Sequence, residues 1–389
     1  MSKKDDYKTE IKKTRRGLFW ASIGFYGLVA FEFFYMFSPF AVYFYGVYGP
    51  GLEILNLSNS TSWVIRFFMP HIVRETQSFW INRHEIIGGL LFFGGLAGFA
   101  IGAGQIYWNK LTRKAEAVSG GIYQRIRHPQ YLALMISSFG MVLLWPRYLV
   151  LFGFVTVCFA YFFLARTEEK VCREKFSEYS EYFSKTGMFL PLKIERLFYN
   201  IPRPGKRIWK IAAVIGCYIV FLLASFGTAY IIHQQSVNSL YTYSDSNQNE
   251  VYVSLGELGL NKIATLVKTA QSNTNVKERL SGYRGEDYRM INYVMPTDLL
   301  VSEVPMFIPE GRGPSHQNPS KLDQNRYKII YTLADFGSQE PAKGRDILLH
   351  AVNKSPVLEV WINREMGKIE KIIEPTGDQY YGGMPVPVF

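Results

Sequence analysis

The chain has 389 residues, a formal net charge of +11 and 48% hydrophobic residues. The charge is unevenly distributed, because residues 1–233 hold 27 Lys and Arg against 14 Asp and Glu, whereas residues 234–389 hold 16 against 18. Long apolar runs are also confined to the first part, so its basic excess is typical of the cytoplasmic loops of a membrane protein. No basic-aromatic stripe is present, and we predict no nucleic-acid partner.

The chain contains three cysteines, Cys158, Cys172 and Cys217. Their spacing matches neither a CxxC motif nor a zinc-ligand pattern, which favours free thiols in or near a membrane. We therefore predict no metal site, and no disulfide in the last 156 residues, which contain no cysteine.

Five apolar runs divide the first 233 residues. The longer ones reach the roughly 20 residues that a helix needs to cross about 30 Å of hydrocarbon. Pro146 separates the third run from the fourth, which is typical of a tight helical hairpin, because proline ends one helix and can begin the next. The pattern predicts a mainly α fold, with a polytopic transmembrane bundle of about five helices. The runs are 17–48, 85–108, 131–145, 148–165 and 208–232.

Glycines in the second run recur at four-residue spacing, at Gly94, Gly98 and Gly102. Small residues at this spacing let helix backbones approach closely in lipid. We therefore expect this face of the second helix to pack against a neighbouring helix.

After the fifth run the sequence changes character. A polar segment is typical of a linker, and β-branched or alternating runs then follow at 251–255, 327–333 and 357–362, with a helical pattern near 258–270. These patterns predict a soluble C-terminal α+β domain. The predicted divisions are an N-terminal helix with its outer loop (1–83), a membrane core (84–207), a final transmembrane helix (208–233), a linker (234–250) and an outer domain (251–389).

The distribution of Lys and Arg among the loops predicts the orientation in the membrane. Seven Lys or Arg precede Gly17, and the segments 109–130 and 166–210 are also rich in them. By the positive-inside rule these three segments are cytoplasmic, so five crossings leave the N-terminus inside and the C-terminal domain outside. The uncleaved N-terminal anchor, the cysteine-free outer domain and the lack of an organelle signal favour a bacterial cytoplasmic membrane.

Charged and aromatic side chains gather at the ends of the third and fourth predicted helices. Because these helices form a hairpin, Tyr131 and Arg166 return to the same membrane face. Two interpretations remain open, namely a salt-bridge network at the membrane interface or a binding site for a cationic ligand with amine, carboxylate and hydroxyl groups. The gathered residues are Arg127, His128, Tyr131, Arg166, Glu168 and Glu169.

Several motifs in this region occur in a fixed order. The chain reads G-I-Y-Q-R-I-R-H-P-Q-Y from Gly121, then R-T-E-E from Arg166, then F-S-E-Y-S-E-Y from Phe176 and F-L-P from Phe189. This order resembles the isoprenylcysteine carboxyl methyltransferases and the related phospholipid N-methyltransferases, over residues 85–195. Separated motifs at matching distances are more specific than any one alone.

The resemblance implies a pocket for S-adenosylmethionine that is built from helix ends. Arg127, His128 and Tyr131 of the R-H-P-x-Y motif would line the cofactor site. Glu168 and Glu169 of the paired-glutamate motif would bind the amino or ribose groups of the cofactor. Glu169 is also predicted to take part in catalysis.

The resemblance extends to three further residues and meets one departure. Gly102 and Gly104 match the G-x-G that phospholipid methyltransferases carry before this region, and are expected to bind the cofactor. Arg166 would face the reaction centre or an anionic group of the acceptor, and is expected to be catalytic. Ser177 stands where the family usually has glycine after Phe176, so the following turn is expected to differ.

The predicted function is methyl transfer from S-adenosylmethionine to a lipidic, prenylated or otherwise membrane-embedded acceptor, as in the isoprenylcysteine carboxyl methyltransferases. A phospholipid N-methyltransferase is one alternative. An NADPH-dependent membrane reductase of the sterol reductase type is another, because these enzymes share a related H-P-x-Y region. In a non-enzymatic alternative, the helices only anchor an outer domain that binds an extracytoplasmic protein partner.

Overall fold

A computed structural model describes most of the chain beyond residue 40. The predicted first run, 17–48, lies in large part outside the described residues. The description covers residues 41–112, 118–198, 205–245, 249–283, 287–308, 322–374 and 386–389, the single residues 247 and 319, and scattered positions between 12 and 27.

Helices dominate the first part of the chain and strands the last. The helices are α1 (Ala41–Asn56), α2 (His84–Thr112), α3 (Pro129–Leu144), α4 (Tyr148–Lys175), α5 (Tyr179–Lys185), α6 (Leu192–Glu195), α7 (Arg207–Ser239), α8 (Leu260–Ser272), α9 (Thr274–Ser281) and α10 (Asp346–His350). The strands are β1 (Thr242–Ser244), β2 (Glu250–Ser254), β3 (Met290–Pro296), β4 (Arg326–Asp335), β5 (Asn353–Asn363) and β6 (Lys368–Ile373).

The chain forms two compact units. The first, called the membrane unit, comprises Met1–Ala30, His84–Leu144 and Val150–Phe226. The second, called the sheet unit, comprises Phe31–Arg83, Trp145–Leu149 and Gly227–Phe389.

The apolar helices account for the membrane part. Within the described residues, α2, α4 and α7 are long and apolar enough to cross a membrane, and α3 is a shorter apolar helix. Pro146 lies between the end of α3 and the start of α4, as the sequence predicted for a hairpin. The fold is thus a helical membrane part followed by a soluble α+β region, which confirms the predicted fold class.

Close packing of α2 against α3 depends on glycine. A Cβ atom built on Gly95 would lie 2.5 Å from the Ser137 backbone nitrogen and 2.6 Å from the Ala133 carbonyl oxygen, so only glycine fits there. A Cβ atom built on Gly98 would lie 3.2 Å from the Ala133 Cβ, whereas one built on Gly94 would have no neighbour within 4 Å. The predicted close packing is therefore found at Gly98 and not at Gly94, where an added Cβ atom would meet no described residue.

Gly95→Ala should destabilise the membrane unit, whereas Gly94→Ala should not. The added methyl group at position 95 meets backbone atoms of α3 that cannot rotate away, so the two helices must separate. Overpacking of this kind costs about 1–3 kcal/mol. Thermal unfolding of the two variants in the same detergent measures the difference. Equal unfolding temperatures for the two variants would contradict the close contact between Gly95 and α3.

The sheet unit is organised around six strands in the order β1-β2-β3-β4-β5-β6. Strands β2 and β3 are parallel, and the other neighbouring pairs are antiparallel. A parallel pair needs a crossover connection, which here contains α8 and α9. The apolar side chains Ile263 and Leu266 of α8 are fully buried in one core with Tyr252 of β2 and Val360 of β5.

Alternate residues of the strands form a second core on the opposite side of the sheet. Val251 and Val253 of β2 belong to it, together with Ile72, Val73 and Val237. The segment before α2 and the end of α7 thus contribute to the folding of the sheet unit.

The domain limits predicted from the sequence stay a prediction. Helix α7 continues to Ser239 and β1 begins at Thr242, within the predicted linker.

Candidate functional site

The segment before α3 is held by backbone pairing with a distant part of the chain. Ile126 and Gly187 form a parallel β-bridge. The Arg127 backbone N–H donates to the Gly187 carbonyl at 2.8 Å, and the His128 N–H donates to the Met188 carbonyl at 3.0 Å. Pro129 then begins α3, a position where its missing N–H leaves no helical bond unmade. Both ends of the R-H-P segment are therefore fixed.

Arg127 forms a buried ion pair with Glu169 near the end of α4. Its Nε donates to Glu169 Oε1 at 2.6 Å, and the two side chains are only 3% and 6% exposed. Its Nη1 donates to the carbonyl oxygens of Phe183 and Thr186, and its guanidinium lies 4.1 Å from the Phe183 ring centroid. These contacts surround the Arg127 side chain on several sides. The guanidinium thus joins Glu169 to the 183–186 backbone.

His128 lies between the two carboxylates. Its Nδ1 is 3.8 Å from Glu168 Oε2 and its Nε2 is 3.6 Å from Glu169 Oε1. Nε2 is buried and has no hydrogen-bond partner within the described part of the chain. Its ring stacks on Tyr131 at 5.6 Å, and Tyr131 stacks on Tyr161 at 5.1 Å, each pair inclined by 13°. Carboxylates and an aromatic stack thus flank one imidazole.

The structure adds a tyrosine that sequence reasoning gave no role. The Tyr123 hydroxyl donates to Gln130 Oε1 at 3.0 Å and lies 3.2 Å from the Gly102 carbonyl oxygen. The Tyr182 hydroxyl donates to the Tyr123 carbonyl at 2.6 Å. Burial raises the pKa of Tyr123 above its usual range and that of Tyr182 to about 12, so both stay protonated donors. Tyr123 belongs to the G-x-Y motif and Tyr182 to the last E-Y pair of F-S-E-Y-S-E-Y. These motifs are the feature of the sequence that could have indicated a role for the two tyrosines.

The remaining predicted residues differ in their surroundings. Gly102 is buried, and a Cβ atom there would lie 3.3 Å from Gln130 Cβ. Gly104 is exposed, and a Cβ atom there would have no neighbour within 4 Å. Arg166 is also exposed, with its guanidinium 5.7 Å from the Phe162 ring centroid. The structure therefore gathers one set, called here the site cluster: Arg127, His128, Tyr131, Glu168 and Glu169.

The chemistry of the site cluster fits S-adenosylmethionine. The Glu168 and Glu169 carboxylates lie beside the His128 ring, at 3.8 and 3.6 Å, and carboxylates can bind the positively charged groups of a ligand. The buried His128 Nε2 is 3.6 Å from Glu169 Oε1, just beyond hydrogen-bond distance. Tyr131 stacks on both His128 and the buried Tyr161, so the aromatic rings hold the imidazole in place. Among the described residues no group of three or more His, Cys, Asp or Glu is arranged to hold a metal ion.

Comparison with known proteins supports the resemblance seen in the motifs. Residues 87–179 match the sequence model of a family described as phospholipid methyltransferase. The chain matches no curated protein and no solved structure. The matched segment contains the site cluster and Tyr123, and it ends before the 187–188 backbone that pairs with the R-H-P segment. Residues 87–179 of this integral membrane protein are therefore similar to the phospholipid methyltransferase family.

Proposed function

We propose that the protein transfers a methyl group from S-adenosylmethionine to a lipidic acceptor in the membrane. The observation that carries the proposal is the buried Arg127–Glu169 pair, which holds two carboxylates around His128. The Arg127–Glu169 pair alone would suffice for a salt bridge at the helix ends, and the cluster adds a buried imidazole between two carboxylates. The family match to residues 87–179 supports the same reaction class.

The residues of the site cluster have distinct tasks in this proposal. S-adenosylmethionine supplies an electrophilic methyl group, and methyl transfer is an in-line displacement that depends on alignment and on exclusion of water. Glu168 and Glu169 bind the positively charged groups of the donor. Arg127 fixes Glu169, and the Tyr131–Tyr161 stack fixes the ring of His128. Gly102 allows Gln130 to approach α2, and its carbonyl oxygen accepts the Tyr123 hydroxyl.

Two acceptor chemistries agree with the geometry. A carboxylate acceptor, as in the isoprenylcysteine enzymes, needs no general base, and the exposed Arg166 could orient its anionic group. An amine acceptor, as in the phospholipid enzymes, must lose a proton. His128 is the candidate base for it, because its Nε2 is 3.6 Å from Glu169 and accepts no hydrogen bond from the described residues.

Radiolabelled methyl transfer into membrane extracts tests the proposal. Label should enter the lipid fraction with the intact protein and be absent with Arg127→Met. Label that alkali releases as methanol identifies a carboxyl ester, and label that resists alkali identifies an N-methyl group. Calorimetry in detergent should show binding of S-adenosylmethionine and not of NADPH. Binding of NADPH alone would instead favour the reductase alternative.

The proposed orientation has the N-terminus in the cytoplasm and the C-terminal domain outside a bacterial cytoplasmic membrane. It can be tested with a single cysteine at Met366, which is 70% exposed, in a chain whose three native cysteines are changed to serine. A membrane-impermeant maleimide should label Met366→Cys in intact cells. Labelling only after the cells are lysed would contradict the orientation and place this domain in the cytoplasm.

A further inference from the structure

The short loop between α5 and α6 contacts the site cluster through its backbone. Gly187 and Met188 accept the N–H bonds of Arg127 and His128, at 2.8 and 3.0 Å. The Phe189 ring centroid lies 6.1 Å from that of His128. The position of this loop therefore determines where the R-H-P segment lies.

One carboxylate holds the loop from its other side. Oε1 of Glu195, the last residue of α6, accepts the backbone N–H of Met188 at 2.6 Å and that of Phe189 at 3.0 Å. Gly187 allows this approach, because a Cβ atom there would lie 3.1 Å from Glu195 Oε2 and would collide with the Leu190 carbonyl oxygen. One loop residue, Met188, thus bonds Glu195 through its N–H and His128 through its carbonyl.

We propose that Glu195 is a positioning residue for the cofactor site, acting through Met188 on His128 and Arg127. This inference rests on the proposed function. Glu195 lies 16 residues beyond the end of the family match at residue 179, so the match assigns it no role. A charged acceptor shared by two consecutive N–H groups fixes the orientation of both peptide planes. The Met188 carbonyl belongs to the peptide plane that includes the Phe189 N–H, so its direction towards His128 is fixed at the same time.

Substitution of Glu195 tests the inference. Glu195→Ala removes both bonds and should raise KM for S-adenosylmethionine about 10- to 100-fold, the scale that a displacement of about 1 Å can produce. Glu195→Gln keeps an amide oxygen that can accept both bonds, so it should recover most of the affinity. Gly187→Ala adds a methyl group that meets the Leu190 carbonyl oxygen as well as Glu195, so it should displace the loop and also raise KM. Glu174→Ala, an exposed residue at the end of α4, is the matched control and should leave KM unchanged.

The outcomes separate this inference from the proposed function. If the unmodified protein does not bind S-adenosylmethionine in calorimetry, the proposed function is wrong. If it binds, and Glu195→Ala binds equally well, Glu195 has no positioning role. Failure of Glu195→Gln to recover the affinity would also overturn the inference, because the two accepted bonds would not be the cause. Where Glu195→Ala yields no folded protein, Glu195→Asp, whose shorter side chain weakens both bonds, provides the same comparison.

Discussion

Arg127→Met should abolish binding of S-adenosylmethionine and lower the stability of the membrane unit. The substitution leaves Glu169 buried without its cation, and it also leaves the Phe183 and Thr186 carbonyls without the donor that joins them. Breaking one side of a buried pair costs about 3–5 kcal/mol. Calorimetry of the purified variant measures binding, and thermal unfolding in detergent measures stability.

A double variant separates the two effects of Arg127→Met. Arg127→Met with Glu169→Leu removes both charges, so the penalty for an unpaired buried carboxylate disappears and much of the stability should return. Cofactor binding should stay lost, because one of the two carboxylates is gone. If the double variant regained binding, the pair would be structural only, and the salt-bridge interpretation of the cluster would be correct.

Glu168→Gln should weaken the binding of S-adenosylmethionine about 10- to 100-fold, with little change in unfolding temperature. A hydrogen bond to a charged partner contributes about 1.5–3 kcal/mol, which corresponds to that range. Glu168 is partly exposed at 21% and lies 3.8 Å from His128, so it is less central to packing than Glu169. Titration calorimetry provides the affinities.

The matched control for this second prediction is Glu174→Gln, since Glu174 is an exposed carboxylate on the same helix. It should bind S-adenosylmethionine as the unmodified protein does. A similar loss of affinity in both variants would point to a general effect of charge near the membrane. Such a result would contradict a specific contact between Glu168 and the ligand.

Local patterns in the sequence were sufficient to predict much of the fold. Apolar runs of membrane-crossing length predicted α2, α4 and α7, and Pro146 predicted the break between α3 and α4. The alternating run at 251–255 corresponds to β2 (Glu250–Ser254), and the helical pattern near 258–270 to α8. These features are fixed by residues that are close in the chain, so their periodicity can be recognised without knowledge of the tertiary structure.

The approach of the R-H-P segment to the paired glutamates could also be predicted, because a hairpin returns both to the same face. The structure brings Arg127 and His128 to Glu168 and Glu169. Their roles stay predictions. The sequence did not indicate that Arg127 is engaged by Glu169 and two backbone carbonyls, since those carbonyls belong to an irregular segment about 56 to 59 residues away.

Contacts between segments that are distant in the chain could not be predicted from the periodicity of the sequence. The parallel bridge between Ile126 and Gly187 depends on how two irregular segments meet. The burial of Phe389 is another example. No pattern in the sequence indicates it, yet the Phe389 carbonyl accepts the His71 N–H at 2.8 Å and its side chain is 2% exposed. Such pairings depend on tertiary packing, which overrides local preference.

Under the proposed function, the two carboxylates beside His128 have a consequence for turnover. Methyl transfer removes the positive charge of the sulfonium, so the thioether product is one charge less positive than the donor. If the positive groups of the donor bind at Glu168 and Glu169 as proposed, these carboxylates hold the donor more strongly than the product. The electrostatics of the site thus favour release of the spent cofactor, and the reaction itself weakens the interaction that held it.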